Sequence, residues 1–229
     1  IERGAIYIAR LRFWLSLVID EKEPLPLPNL DYKIMQGNSL LEQFDGIDLS
    51  KLTQLEKYQG EGFQTTIFGS ETDIERRNLQ NLITQYYYCK NHSEKTDLKY
   101  KIENNIHNQL KINKLIDTLD EIDIEGNQCF FLWHTWFSDA FENGGFDIAI
   151  GNPPYISAPS QLANEELARN REVIIKSGRF KCLHSKWDLY IPFMELGTQL
   201  VKENGCMTMI VPYPLTNQIY GKNLRELFT

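Results

Sequence analysis

The sequence predicts an α/β fold: short buried strands, helices on both faces of the sheet, and a helical hairpin inserted between two strands. Three observations predict it. Phe146 to Ile150 is a short apolar run with β-branched residues, bounded by Gly144-Gly145 and by Gly151-Asn152-Pro153, which reads as a buried strand. Cys206-Met207-Thr208-Met209-Ile210-Val211 is a second such run, stopped by Pro212. Between Ser70 and Asn127, apolar residues fall at helical spacing in two successive stripes.

The elements follow in order. Ala5 to Ile19 is nearly all apolar, broken by Arg10 and Arg12. It is too short and too charged for a membrane span, which needs about 20 apolar residues. Ile8, Leu11, Leu15 and Val18 recur at helical spacing and predict a buried helix. Pro24, Pro26 and Pro28 make an extended connector, because each X-Pro step is pushed away from helix. Tyr32-Lys33-Ile34-Met35 predicts a short strand running into Gln36-Gly37-Asn38-Ser39-Leu40. Gly37-Asn38 reads either as a plain strand-to-helix turn or as a ligand contact at a second strand end.

In the hairpin, Thr72 and Glu75 have the spacing of a capping box. Leu79, Leu82, Ile83 and Tyr86 form the first stripe, and Asn91-His92-Ser93 breaks it. Leu98, Ile102, Ile106 and Leu110 begin the second, which Leu115, Ile116 and Leu119 extend. Cys129 to Phe137 returns to the core, its aromatics and His134 reading as packing. Ile156 to Lys186 is loop-like and mixed in charge. Trp187-Asp188-Leu189-Tyr190 leads a helix with Leu189, Phe193, Leu196 and Leu200 on one face, capped by Asn204-Gly205. Lys222 to Phe228 starts a last helix.

With 229 residues, 42% hydrophobic and 24% charged, the chain falls among ordinary globular proteins. Its net charge of −7 argues against a surface that grips nucleic acid unaided. The four cysteines, Cys89, Cys129, Cys182 and Cys206, are far apart, and the four histidines show no metal spacing, so no disulfide framework and no metal site are expected. A reduced cytoplasmic setting is the default. No signal peptide is read. The chain opens at Ile1 without a methionine and closes at Leu224–Thr229 within a helical stretch, so a piece of a longer protein is expected.

The polar tetrapeptide Asn152-Pro153-Pro154-Tyr155 sits just past the carboxyl end of the predicted strand, where open α/β sheets place their ligands. The two prolines fix φ at consecutive positions and remove two backbone donors. An amide oxygen, a carbonyl and a flat ring then suit a planar amino group.

Asn-Pro-Pro-Tyr after an apolar strand resembles the catalytic motif of the amino-methyltransferases that use S-adenosylmethionine. Ile8 to Leu17 and Leu27 to Ile34 resemble the large bacterial adenine methyltransferases of type IIG restriction–modification enzymes and related phage-exclusion systems. So do Phe131-Leu132-Trp133-His134 and the order Asp188-Leu189-Tyr190, helix, Asn-Gly, strand and Pro. The resemblance implies a partial Rossmann-like methyltransferase sheet. It implies that Asn152 and the Pro153 carbonyl bind both N–H groups of the target amine, and that Tyr155 stacks on a base flipped out of the duplex. The family's third motif falls on Gly37-Asn38-Ser39-Leu40, so Asn38 is implied to contact the adenine of the cofactor, with Ser39 lining the same pocket.

The family's Gly-rich first motif and the acid that binds the ribose are absent, as is a target-recognition domain; Glu2 is not assigned the acid's role. Residues 1–69 and 128–229 are expected to be two parts of the methyltransferase core, and residues 70–127 an inserted helical arm. The arm reads as structural, or alternatively as a contact surface for DNA or another domain. The segment after the tetrapeptide either closes over the target base or is a surface connection. The expected function is transfer of methyl to adenine N6 in double-stranded DNA by a longer bacterial protein, possessing further recognition or nuclease domains, with the isolated chain inactive. The alternatives are a protein-glutamine or ribosomal-RNA methyltransferase, and a non-catalytic scaffold.

Overall fold

The computed structural model describes residues 3–19, 30–44, 47–48, 71–112 and 130–229. They belong to two compact units, Ile1–Ser138 and Asp139–Thr229.

The first unit contains α1 (Arg3–Ile19), a small antiparallel pair β1 (Gln43–Phe44) and β2 (Ile47–Asp48), α2 (Glu71–Tyr88), α3 (His92–Ile112) and the single turn α4 (Trp133–Trp136). α2 and α3 pack together as the helical pair that the two stripes predict. Asn91 caps α3, its side-chain oxygen accepting from the Ser93 amide at 3.0 Å. Leu79 and Tyr86 of α2 and Ile102 and Ile106 of α3 share one core with Tyr32, Phe130, Phe131, Leu132 and Trp136. Leu115, Ile116 and Leu119 lie outside the described residues.

Three expectations fail here. Tyr32–Met35 is not a strand: the Lys33 and Ile34 amides both bond the Leu30 carbonyl, closing a helical turn. Long-range polar contacts hold that turn. Arg10 of α1 donates to the Asp31 carboxylate at 2.6 Å and to the Asp31 and Ile34 carbonyls at 2.9 and 2.8 Å. Tyr86 and Lys95 reach the other Asp31 oxygen from α2 and α3. Second, α1 forms but does not bury its stripe: Ile8, Leu11, Leu15 and Val18 are exposed. The polar grip of Arg10 ties it to the Asp31–Ile34 turn and needs no apolar seam. Third, Thr72 is not at the cap position of α2. α2 begins at Glu71, which puts Thr72 inside it, and the Glu75 carboxylate accepts from the buried Asn105 amide of α3.

The second unit runs α5 (Ser138–Glu142), β3 (Phe146–Gly151), α6 (Ala158–Ala163), α7 (Glu165–Lys176), α8 (Tyr190–Leu200), β4 (Val201–Met209), two 3₁₀ turns and α9 (Lys222–Leu227). β3 and β4 pair in parallel, with Ile148 opposite Cys206 and Gly151 opposite Met209. This is a strand–helices–strand crossover, as parallel pairing requires.

β3 forms where the sequence predicts it, but it is not buried. Successive strand residues face opposite ways. α8 lays Gly197 over Met207 and Met209, covering one face. Ile148 and Ile150 point to the other and are 60% and 80% exposed, so among the described residues of this unit helices cover one face only. Gly145, at φ +127°, makes the entry to β3 so tight that a Cβ there would lie 2.7 Å from the Leu200 carbonyl oxygen.

Asn204-Gly205 does not cap α8. The helix ends at Leu200 and β4 begins at once. An advance of two residues on β3, from Phe146 to Ile148, is matched by an advance of five on β4, from Val201 to Cys206. Asn204, at φ 63°, turns the chain inside that irregularity.

Candidate active site

Parallel pairing brings the carboxyl ends of β3 and β4 side by side. The Ile210 amide bonds the Gly151 carbonyl at 3.2 Å, joining the strands one residue beyond the last paired position. Asn152-Pro153-Pro154-Tyr155 follows directly. Pro153 is buried, while Asn152, Pro154 and Tyr155 are exposed. The Tyr155 hydroxyl lies 2.9 Å from Asn152 Oδ1 and 2.8 Å from the Ile210 carbonyl oxygen. A phenol has one proton, so it donates to one of these acceptors at a time. The hydroxyl therefore ties the Asn152 amide to the end of the neighbouring strand and limits its rotation. The Tyr155 ring remains 52% exposed, open to a flat partner.

The segment after the tetrapeptide is a loop only in part: residues 158–163 and 165–176 are helical, and residues 177–186 are the loop expected. Ser157 and Asn164 cap two consecutive helices, accepting from the Ser160 and Leu167 amides at 3.4 and 3.0 Å. Pro159 stands in the first turn of α6, where its missing donor costs nothing, and Glu165 and Glu166 face the positive end of α7. The segment is stitched to the turn before α8. The Ala158 amide bonds the Asp188 carboxylate at 3.0 Å, and the Leu189 amide bonds the Ile156 carbonyl at 2.9 Å. Trp187, Tyr190 and Ile191 are buried behind it. Burial raises the pKa of both Tyr190 and Tyr220, whose hydroxyls are 3.3 Å apart.

Asn38 and Ser39 belong to the first unit, and the tetrapeptide to the second. Asn38 Oδ1 accepts from the Leu40 amide at 3.3 Å, an Asx turn that sets its amide plane. The Ser39 carbonyl accepts from the Trp133 indole at 2.9 Å, and the Phe131 amide bonds the Leu41 carbonyl at 2.8 Å. Gly37 allows this approach: a Cβ would lie 2.7 Å from the Phe130 carbonyl oxygen. The turn is pinned further by Glu42, a buried carboxylate that accepts from both the His134 amide and its Nδ1 at 2.8 Å. His134 is thus a hydrogen-bonding partner of Glu42, not the packing residue expected.

Sequence reading missed Glu42, Trp133 and Ile210 as supports, because each acts across a long stretch of chain. Among the described residues no cluster of three His, Cys, Asp or Glu side chains could hold a metal ion. No described helix is long and apolar enough to cross a membrane.

The family model of the Eco57I restriction-modification methylases matches residues 1–229. The chain is 24% identical over 281 residues to a protein of Methanocaldococcus jannaschii described as a type II restriction enzyme and methyltransferase. That match covers 98% of the chain and 22% of the relative. It is 32% identical over 94 residues to the type II methyltransferase M.BstVI of Geobacillus stearothermophilus, covering 41% of the chain and 16% of the relative. A third match, 32% identical over 89 residues, is to the type II restriction enzyme and methyltransferase Eco57I of Escherichia coli, covering 38% of the chain and 8% of the relative. The chain spans 22% or less of the length of these three. No solved structure matches it.

Proposed function

The chain belongs to the Eco57I restriction-modification methylase family, and from that premise we propose that it carries the target-base pocket of an enzyme that methylates adenine N6 in DNA. The observation that carries the proposal is the tetrapeptide at the end of β3, with the Asn152 amide held by the Tyr155 hydroxyl beside the end of β4. An exocyclic amine is a poor nucleophile while its lone pair is conjugated with the ring. Asn152 Oδ1 and the Pro153 carbonyl would accept its two N–H groups and favour the pyramidal form. Acceptors already in place cost no reorganisation when the reaction occurs. The exposed Tyr155 ring would stack on a base turned out of the duplex.

The residues present fit part of S-adenosylmethionine. That cofactor, when bound, supplies an electrophilic methyl group on its sulfonium. The Asx turn occupies Asn38 Oδ1 and leaves Nδ2 as the donor to a purine ring nitrogen, with Ser39 beside it in a turn braced by Trp133 and Glu42. Double-stranded DNA is the proposed partner, gripped by parts of the full-length enzyme beyond this acidic chain, where a fused nuclease and a target-recognition domain would also reside.

The test is transfer of labelled methyl to DNA by a full-length enzyme carrying this chain, followed by digestion to nucleosides. Label in N6-methyladenine is expected from the wild type. Asn152→Ala should fold normally and lose roughly 100- to 1000-fold in rate, the cost of removing a comparable preorganised polar group. Full activity in that variant would overturn the assignment. Label in protein or RNA but not in DNA would hand the substrate to a protein-glutamine or ribosomal-RNA methyltransferase.

A further inference from the structure

α7 supplies one side chain that the chemistry above does not use. Arg171 is buried, and its guanidinium carbon lies 3.7 Å above the centroid of the buried Trp187 ring. Its Nη1 donates to Gln161 Oε1 at 3.0 Å and to the Trp187 carbonyl at 2.9 Å. Gln161 is buried too. Its Nε2 donates to the Trp187 carbonyl at 3.3 Å and to the Ile156 carbonyl at 3.1 Å. Ile156 immediately follows Tyr155, and its carbonyl also accepts from the Leu189 amide.

A glutamine amide can present either its oxygen or its nitrogen to a given neighbour. Arginine carries only donors. Arg171 therefore obliges Gln161 to turn its oxygen toward α7, and so obliges Nε2 to face Ile156. A flipped Gln161 would set oxygen against the oxygen of Ile156. Filling the same space needs no charge: replacing a buried ionic group by an apolar one of similar volume is often neutral or stabilising. Burial also lowers the pKa of Arg171, with Asp188 acting in the opposite direction. The arginine thus carries a desolvation cost that packing alone does not require.

We propose that Arg171 is a positioning residue for the candidate active site, setting the orientation of Gln161 and through it fixing the Ile156 carbonyl at the exit of the Asn152–Tyr155 tetrapeptide. This rests on the methyltransferase reading of the tetrapeptide.

Two variants separate positioning from folding, made in a full-length enzyme that carries this chain. Arg171→Met keeps bulk and removes the donors. Gln161→Glu keeps an acceptor for Arg171 but removes the donor to Ile156. Both should lower kcat by about 10- to 100-fold, the scale of a 1 Å misplacement, while KM for S-adenosylmethionine stays within about twofold on the same reasoning, since neither residue is placed at the cofactor turn. Amide exchange at Leu189 and Ala158 should quicken in both. Wild-type kcat in Gln161→Glu, or unchanged exchange at Leu189 and Ala158 in both variants, overturns the proposal. If Arg171→Met does not fold, Gln161→Glu decides. If the wild type transfers no methyl to DNA, the proposed function fails, and the exchange data alone judge Arg171.

Discussion

Replacing Tyr155 by Phe removes one oxygen and leaves the ring. The hydroxyl touches two acceptors, Asn152 Oδ1 and the Ile210 carbonyl. Asn152 and Ile210 are both exposed, so water can take over each acceptor. The loss should fall at the low end for a hydrogen bond, about 0.5–1 kcal/mol. If all of it appears in the transition state, the rate drops about two- to fivefold. Tyr155→Ala removes the stacking surface as well, a further cost of about 1–3 kcal/mol in base binding. The rate is read by single-turnover methyl transfer on an adenine duplex, and base flipping on a matched duplex with 2-aminopurine at the target position, which has no N6 to methylate and whose fluorescence reports the unstacked base. The Phe variant should keep the fluorescence rise and most of the rate. The Ala variant should lose much of both. Equal damage from the two substitutions would refute the stacking role and assign the effect to the hydroxyl.

Other consequences can be measured on the chain itself. Gly145→Ala should cost about 1–3 kcal/mol as backbone strain, since the new Cβ meets the Leu200 carbonyl oxygen and the Lys202 amide at φ +127°; a wild-type urea midpoint would contradict this. The Cys182 thiol is pushed up to about 12, first by burial and then by the Glu195 carboxylate beside it. At pH 8 iodoacetamide should label exposed Cys206 and spare Cys182, and rapid native labelling of Cys182 would contradict the burial. With the folded pKa above the unfolded value of about 8.5, that thiol's stabilising contribution is full below pH 8.5 and is lost as pH rises toward 12. Replacing residues 70–127 by a short linker should remove Leu79, Tyr86, Ile102 and Ile106 from the first unit's core, while the amides of β3 and β4 stay protected from exchange. Loss of protection in those strands would show that the arm belongs to the sheet's core.

What was legible in the sequence was local. The stripes of α2 and α3, the run of β3 and the face of α8 each repeat a period along neighbouring residues. Tyr32–Met35 looks like a strand by composition, but a turn wins because Arg10, Tyr86 and Lys95 converge on Asp31 from elsewhere in the chain. α6 and α7 announce themselves only through their caps, Ser157 and Asn164, since both are short and mixed in charge. Asn204-Gly205 suits a helix cap and a strand irregularity equally, because both use positive φ, so residue type alone could not choose. In the candidate site, Asn152 and Tyr155 could be found from their letters. Ile210, Gln161, Arg171 and Glu42 could not, since their importance lies in which distant atoms they meet.

The irregularity in β4 governs alignment at a distance. From Cys206 onward the two strands run in step, which is why the Ile210 carbonyl arrives beside Tyr155. Each strand residue advances the chain by about 3.3 Å. Losing one residue between Lys202 and Gly205, if the slip propagated along the strand, would carry that carbonyl out of the hydroxyl's reach. It would also swap Met207 and Met209 to the face away from α8, since a one-residue slip inverts every side chain. The count of residues in this turn, at the opposite end of the strand from the tetrapeptide, works as a length gauge for the site.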